Sequence, residues 1–406
     1  MIFFTLLYPP MALIVCLMYC LYGATRKKVK FDKIMVFFIV SAFSVYGYSL
    51  TNNPVLEFDL VRYFEQIEKL KSKNLFSILL SDKQLLYTCD ILFYFIGKTD
   101  NLCLLPFIVA FSIYGICSYV LYDYIKRNNL KLSTFQLLFL LFTTVGIVNS
   151  SNVIANVRCV NSYAIIVFAV YRELVQKKTN LITIFLYIIA IGLHTTAVAV
   201  VIMRLLYPLL AKLFPISLIP VLFSSQIITV AYNFRTLFPQ LIIQFIEKAY
   251  YYLNWIDADI IENSTSISYR VSYLFCICYI GISVILIFYH DYIYKNKKIM
   301  NNKFIQFIYS IIILVFGNFA IPVGSFWRFA AIVYMFSHVY LIPLMQCKNQ
   351  IIKICLYGIF IGTLFMILFN FIYIFIYLSP IEMLEKGITV TSIRIFMDFI
   401  KGVYNF

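Results

Sequence analysis

The sequence predicts an all-α, polytopic membrane protein, and three observations lead there. The 406 residues are 63% hydrophobic and only 13% charged, with a mean hydropathy of +0.90. Soluble domains carry about a quarter charged residues, so a chain this apolar needs lipid as the solvent for its outer face. Second, the apolar residues fall in runs of about 20, the length that crosses a bilayer as a helix. Third, the Lys and Arg residues gather in short loops between those runs, the bias of cytoplasmic loops. That bias accounts for the net charge of +15 without nucleic acid as a partner.

Taken in order, spans are expected near 2–22, 34–51, 102–122, 133–149, 158–175, 181–206, 213–233, 270–290, 304–322, 328–346 and 351–379. A shorter apolar helix at 83–97 is either re-entrant or a tilted crossing, so the total is about ten to twelve. The first run is followed, not preceded, by Arg26, Lys27, Lys28, Lys30 and Lys33. This reads as a span ending in the cytoplasm rather than a cleaved signal peptide. Loops 23–33, 123–132, 172–180, 291–303 and 347–353 are basic and expected inside; 51–82, 149–157, 235–269 and 322–328 are expected outside. The crossings between 23 and 180 balance if 83–97 does not cross. Between 181 and 269 two spans cannot carry the chain from inside to outside. Either 236–253 dips into the membrane or one span breaks. One transmembrane domain over 1–406 is expected, with 51–82 and 235–269 as its outer segments.

The 10 cysteines lie mostly in apolar runs and read as small buried hydrophobes. With three histidines and no HExxH or Cys/His cluster, no metal site is expected. At 51–70, Asn53 and Pro54 suit a helix start. From there Leu60, Phe64 and Ile67 fall on one face, and Asp59, Arg62, Tyr63 and Gln66 on the other. An interfacial helix on the outer surface is expected, its Asp59–Arg62 pair worth a few tenths of a kcal/mol as a surface contact. Glu57 and Asp59 also form an ExD pair in the first outer loop.

The remaining candidates are polar residues in apolar context. Arg158 opens a span after the polar turn NSSNVIANVR, with Asn149, Asn152 and Asn156 on the same turn. Arg328 opens another after a break at Pro322 and Gly324, and Arg270, beside Tyr269, a third. A cation at that depth is expensive and faces the bundle interior, unless it snorkels to the interface. Three arginines expected on one membrane face beside an acid-bearing helix suit a polyanion such as a lipid pyrophosphate. His194 lies well inside a span, in IAIGLHTTAVAV, where an imidazole needs a partner.

The order of these motifs resembles the EpsG/Wzy family of polysaccharide polymerases. The resemblance rests on D-L-V-R-Y-F at Asp59 to Phe64, N-V-R at Asn156 to Arg158 in a span ending Y-R-E, and I-x-x-H-T-T at Ile191 to Thr196. It continues with W-R-F-A-A-I-V-Y at Trp327 to Tyr334, followed by L-I-P. It implies a GT-C-like helical bundle with interfacial outer helices, in the bacterial inner membrane. The implied reaction moves a glycan from undecaprenyl pyrophosphate onto the terminal sugar of another lipid-linked repeat unit at the outer face. The implied partners are those lipid-linked oligosaccharides, the bilayer and a chain-length regulator. On this resemblance Arg158 and Arg328 hold pyrophosphate, with Arg270 as a third candidate, and Asp59 or His194 takes the acceptor proton. Arg62, Tyr63, Asn156, Tyr269 and Tyr334 bind substrate. No cofactor is expected, and no metal, because arginines supply the charge. The alternatives are a glycosyltransferase using a polyprenyl monophosphate sugar, with Glu57 and Asp59 on a metal, and a flippase for the same lipid-linked units.

Overall fold

The computed structural model describes residues 32–49, 58–79, 86–145, 150–213, 216–239, 242–243, 246–247, 250–251, 267–317 and 324–377. The expected first span, the TNNP turn, Glu57 and Asn149 lie outside these residues. All regular structure among the described residues is helical.

The described residues up to Ala197, with Thr363–Tyr377, form one compact unit; those from Val198 to Gly362 form another. The first unit contains α1 (Lys33–Ser49), α2 (Phe58–Lys71), α3 (Leu75–Leu79), α4 (Tyr87–Lys98) and α5 (Leu104–Arg127). It continues with α6 (Thr134–Val145), α7 (Ser150–Ala155), α8 (Cys159–Leu174) and α9 (Leu181–Leu193). The second contains α10 (Ala197–Lys212), which starts at the boundary, a 3₁₀ helix at Ile216–Phe223, and α11 (Ser224–Asn233). Then come α12 (Ile267–Ile293), α13 (Lys303–Gly317), α14 (Gly324–Met335), α15 (His338–Met345) and α16 (Gln350–Tyr377), whose end belongs to the first unit.

Side-chain caps set several helix starts. Asp32 Oδ1 accepts from the backbone N–H groups of Ile34 and Met35, both at 3.1 Å. Ser133 and Gln136 form a reciprocal capping box at α6. Asn180, Asn302 and Asn349 cap α9, α13 and α16, each side-chain oxygen accepting a backbone N–H of the first turn.

Within the first unit α1 and α5 run antiparallel in close contact. A side chain at Gly47 would meet the Pro106 carbonyl oxygen at 2.5 Å, and Phe43 stacks on Tyr114 at 3.9 Å. The glycine lets the two backbones touch. α8 is buried almost all round, as a central helix should be. It runs parallel to α5, tied at its far end by Asp123, whose Oδ2 accepts from Arg127, Tyr171 and Gln176. α9 returns antiparallel to α8, held there by Arg172 donating to Thr183 and Asn180. The basic loops 128–133 and 175–180 therefore sit at one end of the unit.

In the second unit Tyr309 and Ser217 hydrogen bond at 2.9 Å. Tyr334 packs edge-on to Tyr279 at 4.9 Å, with Phe275 beside it. Asp291 accepts from the backbone N–H groups of Ile299 and Met300 and closes the turn into α13.

Three helices among the described residues are long and apolar enough to cross a membrane: α5, Leu274–Ile293 of α12 and Gln350–Leu368 of α16. The number is five if each of two bent pairs counts as one span: Lys295–Asn301 with α13, at 56°, and Trp327–Met335 with α15, at 47°. These mark a multi-pass membrane protein. Ile351, Ile354, Ile361, Phe365 and Leu368 stand exposed along one stripe of α16, a face suited to lipid. The ten to twelve spans expected of the whole chain are not all among the described residues, and several of those that are turn out short or broken. The expected span 181–206 is two helices, because His194 adopts an extended conformation (φ −154°, ψ 128°) between α9 and α10. At 17, 16 and 13 residues, α1, α8 and α9 are also short. α4 has 12 residues, about 18 Å of helix, shorter than the about 30 Å of hydrocarbon that a straight crossing spans.

Candidate functional site

The end of the first unit away from the basic loops holds a second set of polar side chains in apolar surroundings. Arg158 caps the start of α8, thirteen residues before Tyr171, so it stands about 20 Å along the helix from the Asp123 knot. Its guanidinium carbon lies 4.8 Å from the centre of the Tyr63 ring, and its Nε donates to the Tyr63 hydroxyl at 3.2 Å. One phenol thus holds the cation by its face and by its oxygen.

Tyr63 is placed by α2. Leu60, Tyr63 and Ile67 are buried, while Arg62, Glu65, Gln66 and Glu68 are exposed. The amphipathic helix is as expected, but Tyr63 belongs to its buried face. Positions 60, 63 and 67 lie within about 60° of one another on a helix of 3.6 residues per turn. Sorting by polarity alone places Tyr63 beside Arg62, whereas a tyrosine buries its ring and presents only its tip.

α4 packs beside α2, with Phe93 against Tyr63 at 5.6 Å between ring centres. One turn before Phe93 lie Cys89 and Asp90, both within electrostatic reach of Arg158. Burial pushes the Cys89 thiol up to about 12. Burial also raises the Asp90 carboxyl above its usual range, against the pull of Arg158 and Lys73. Its Oδ2 is sealed from solvent and accepts no hydrogen bond.

α9 closes the group. Gly192 sits against Thr88, the second residue of α4: a methyl there would come 3.0 Å from the Thr88 Cβ and 3.2 Å from its backbone nitrogen. Beyond it, His194 Nδ1 accepts the Thr196 backbone N–H at 3.2 Å and lies 2.5 Å from Thr196 Oγ1. Thr196 Oγ1 is in turn 2.7 Å from the Tyr163 hydroxyl. A nitrogen that faces a backbone N–H carries no proton, so the neutral ring holds its proton on Nε2.

Of the sequence-derived candidates, Tyr63, Arg158 and His194 gather at this end, with Asn156 two residues before Arg158 in the link from α7 to α8. Arg62 lies on the exposed face of α2; Asp59 is in the same helix, its side chain outside the described residues. Tyr269 and Arg270 are in α12, with side chains also outside them. Arg328 and Tyr334 lie in α14 of the second unit, Tyr334 enclosed among aromatic rings. Asp90 is absent from the sequence-derived set. A signal existed, since it is the single acid in the apolar stretch Leu85–Gly97, and such a residue is a site candidate by default.

Among the described residues no group of three His, Cys, Asp or Glu side chains is placed to hold a metal ion. The arrangement pairs a fixed cation with a partly sealed carboxyl, which suits an anionic leaving group beside a proton acceptor. No family profile, curated protein or solved structure matches this chain.

Proposed function

We propose that the chain is a glycosyltransferase that polymerises oligosaccharide repeat units linked to undecaprenyl pyrophosphate, at the outer face of the bacterial inner membrane. The observation that carries this reading is Arg158, held on Tyr63 beside Asp90 at the end of the first unit away from the basic loops. With those loops in the cytoplasm, the arginine stands toward the outer face. A guanidinium fork matches phosphate oxygens. Preorganised charge of this kind stabilises a departing anion without reorganisation at the moment of reaction. Exposed apolar faces on α9, such as Leu181, Phe185 and Ile188, suit lipid rather than water. Arg270 and Arg328, in the second unit, carry no part of this reading.

The test is a polysaccharide gel from a host lacking the gene, complemented with wild type or Arg158→Ala at equal membrane levels. Wild type should give a ladder, and Arg158→Ala single-repeat chains only. If loss of the gene removes surface glycan altogether, down to the single repeat, the step lies earlier and polymerisation is ruled out. The flippase or the transferase using a monophosphate sugar then takes its place.

A further inference from the structure

We propose that Asp90 is the base that takes the proton from the incoming sugar hydroxyl, a role that rests on the polymerase reading above. Three observations support it. Asp90 lies one turn before Phe93, which packs on the Tyr63 that holds Arg158, and it is within electrostatic reach of that cation. Its Oδ2 is buried yet accepts no hydrogen bond, an arrangement that costs free energy unless a donor arrives. A substrate hydroxyl is such a donor. Third, of the two acceptors the sequence suggests, His194 is occupied, since its Nδ1 accepts the Thr196 N–H; the Asp59 side chain lies outside the described residues.

The step balances as follows. The acceptor O–H bond breaks, its proton passing to the Asp90 carboxylate. The oxygen lone pair forms a bond to the anomeric carbon of the donor glycan. The bond from that carbon to the pyrophosphate oxygen breaks, and its electron pair leaves with the lipid pyrophosphate, whose charge Arg158 meets. Asp90 returns its proton to water or to the departing phosphate. Burial raises the Asp90 carboxyl, which makes it a stronger base than a solvated aspartate. It also sets the sign of the pH dependence: the rate climbs as pH rises through that raised value.

The test compares wild type, Asp90→Asn and Asp90→Glu in membranes of the deleted host, which hold its own lipid-linked repeat units. Two readouts are taken: elongation rate against pH, and thermal stabilisation of the purified proteins by undecaprenyl pyrophosphate. The asparagine keeps the shape and removes the charge. The expected result is elongation down about 100-fold or more, a residual rate flat with pH, and stabilisation by undecaprenyl pyrophosphate retained. Asp90→Glu should recover part of the rate. Asp90→Asn elongating like wild type with the same pH profile would overturn the assignment alone. Loss of undecaprenyl pyrophosphate binding together with elongation would make Asp90 a binding group and overturn it as the base. Wild type adding no repeat unit in the same membranes would overturn the polymerase reading itself, and Asp90 would lose the role with it.

Discussion

Arg158 makes two different contacts with one residue, and they are separable. The Tyr63 ring attracts the guanidinium as a cation over a π face, and the hydroxyl accepts its Nε–H. Tyr63→Phe keeps the first and deletes the second. A hydrogen bond to a charged group contributes about 1.5–3 kcal/mol, so elongation should fall about 10- to 100-fold, short of the collapse with Arg158→Ala. Tyr63→Leu removes both contacts and should fall further. Initial elongation rates in membranes at equal expression decide the order, and a Tyr63→Phe rate equal to wild type would mean the phenol does not orient the cation. At this scale the sequence was legible where a charge stood out. Arg158 and His194 announce themselves as ionisable groups in apolar runs. Asp90 carries the same signal, in an apolar segment shorter than a crossing. The partners Thr88, Cys159, Tyr163 and Thr196 gave no signal, because small polar residues are common in membrane helices.

Helices of ordinary composition build the site through their approach rather than their chemistry. α4 carries Asp90, and Gly192 lets α9 lie against it at Thr88. Part of what an added methyl meets is Thr88 backbone, which cannot swing aside. Overpacking of this kind costs about 1–3 kcal/mol. Gly192→Ala should therefore lower the thermal midpoint of the detergent-purified protein and, by shifting α4, reduce elongation. Gly115 supplies the control: a methyl there finds its nearest neighbours, the Val40 γ carbons, at 4.0 Å. Gly115→Ala should leave both properties unchanged or raise the midpoint slightly, since alanine favours the helix. Equal effects at the two positions would mean the α4–α9 approach is not tight. The positions of these helices were largely readable from hydropathy, and α2 from its period. The break at His194 was not. Neither Thr195 nor Thr196 stops a helix by propensity, and the extended residue is held by the bonds that His194 and Thr196 make with each other and with Tyr163.

Taken whole, the first unit has a chemical direction, and the basic loops orient it. Lys126, Arg127 and Lys131 flank the Asp123 knot, with Lys177 and Lys178 on the next loop. The Lys71–Asp100 ion pair and the bond from Asn101 to Tyr48 lie at the other end of the α1–α5 pair. Composition made the membrane class plain from the first line of sequence. It left the number of crossings open, because a run of about 20 apolar residues can be one straight helix or two short ones joined by a turn. The orientation is testable by labelling, since Ser72 and Lys131 are both exposed and belong to opposite ends. In a variant without exposed native cysteine, Ser72→Cys should react with an impermeant maleimide on intact spheroplasts. Lys131→Cys should react only after the membrane is opened. The reverse pattern would put Arg158 and Asp90 toward the cytoplasm, where glycans already carried across the membrane do not reach. A polymerase at the outer face would then be excluded by geometry alone, whatever the behaviour of the Arg158 and Asp90 variants.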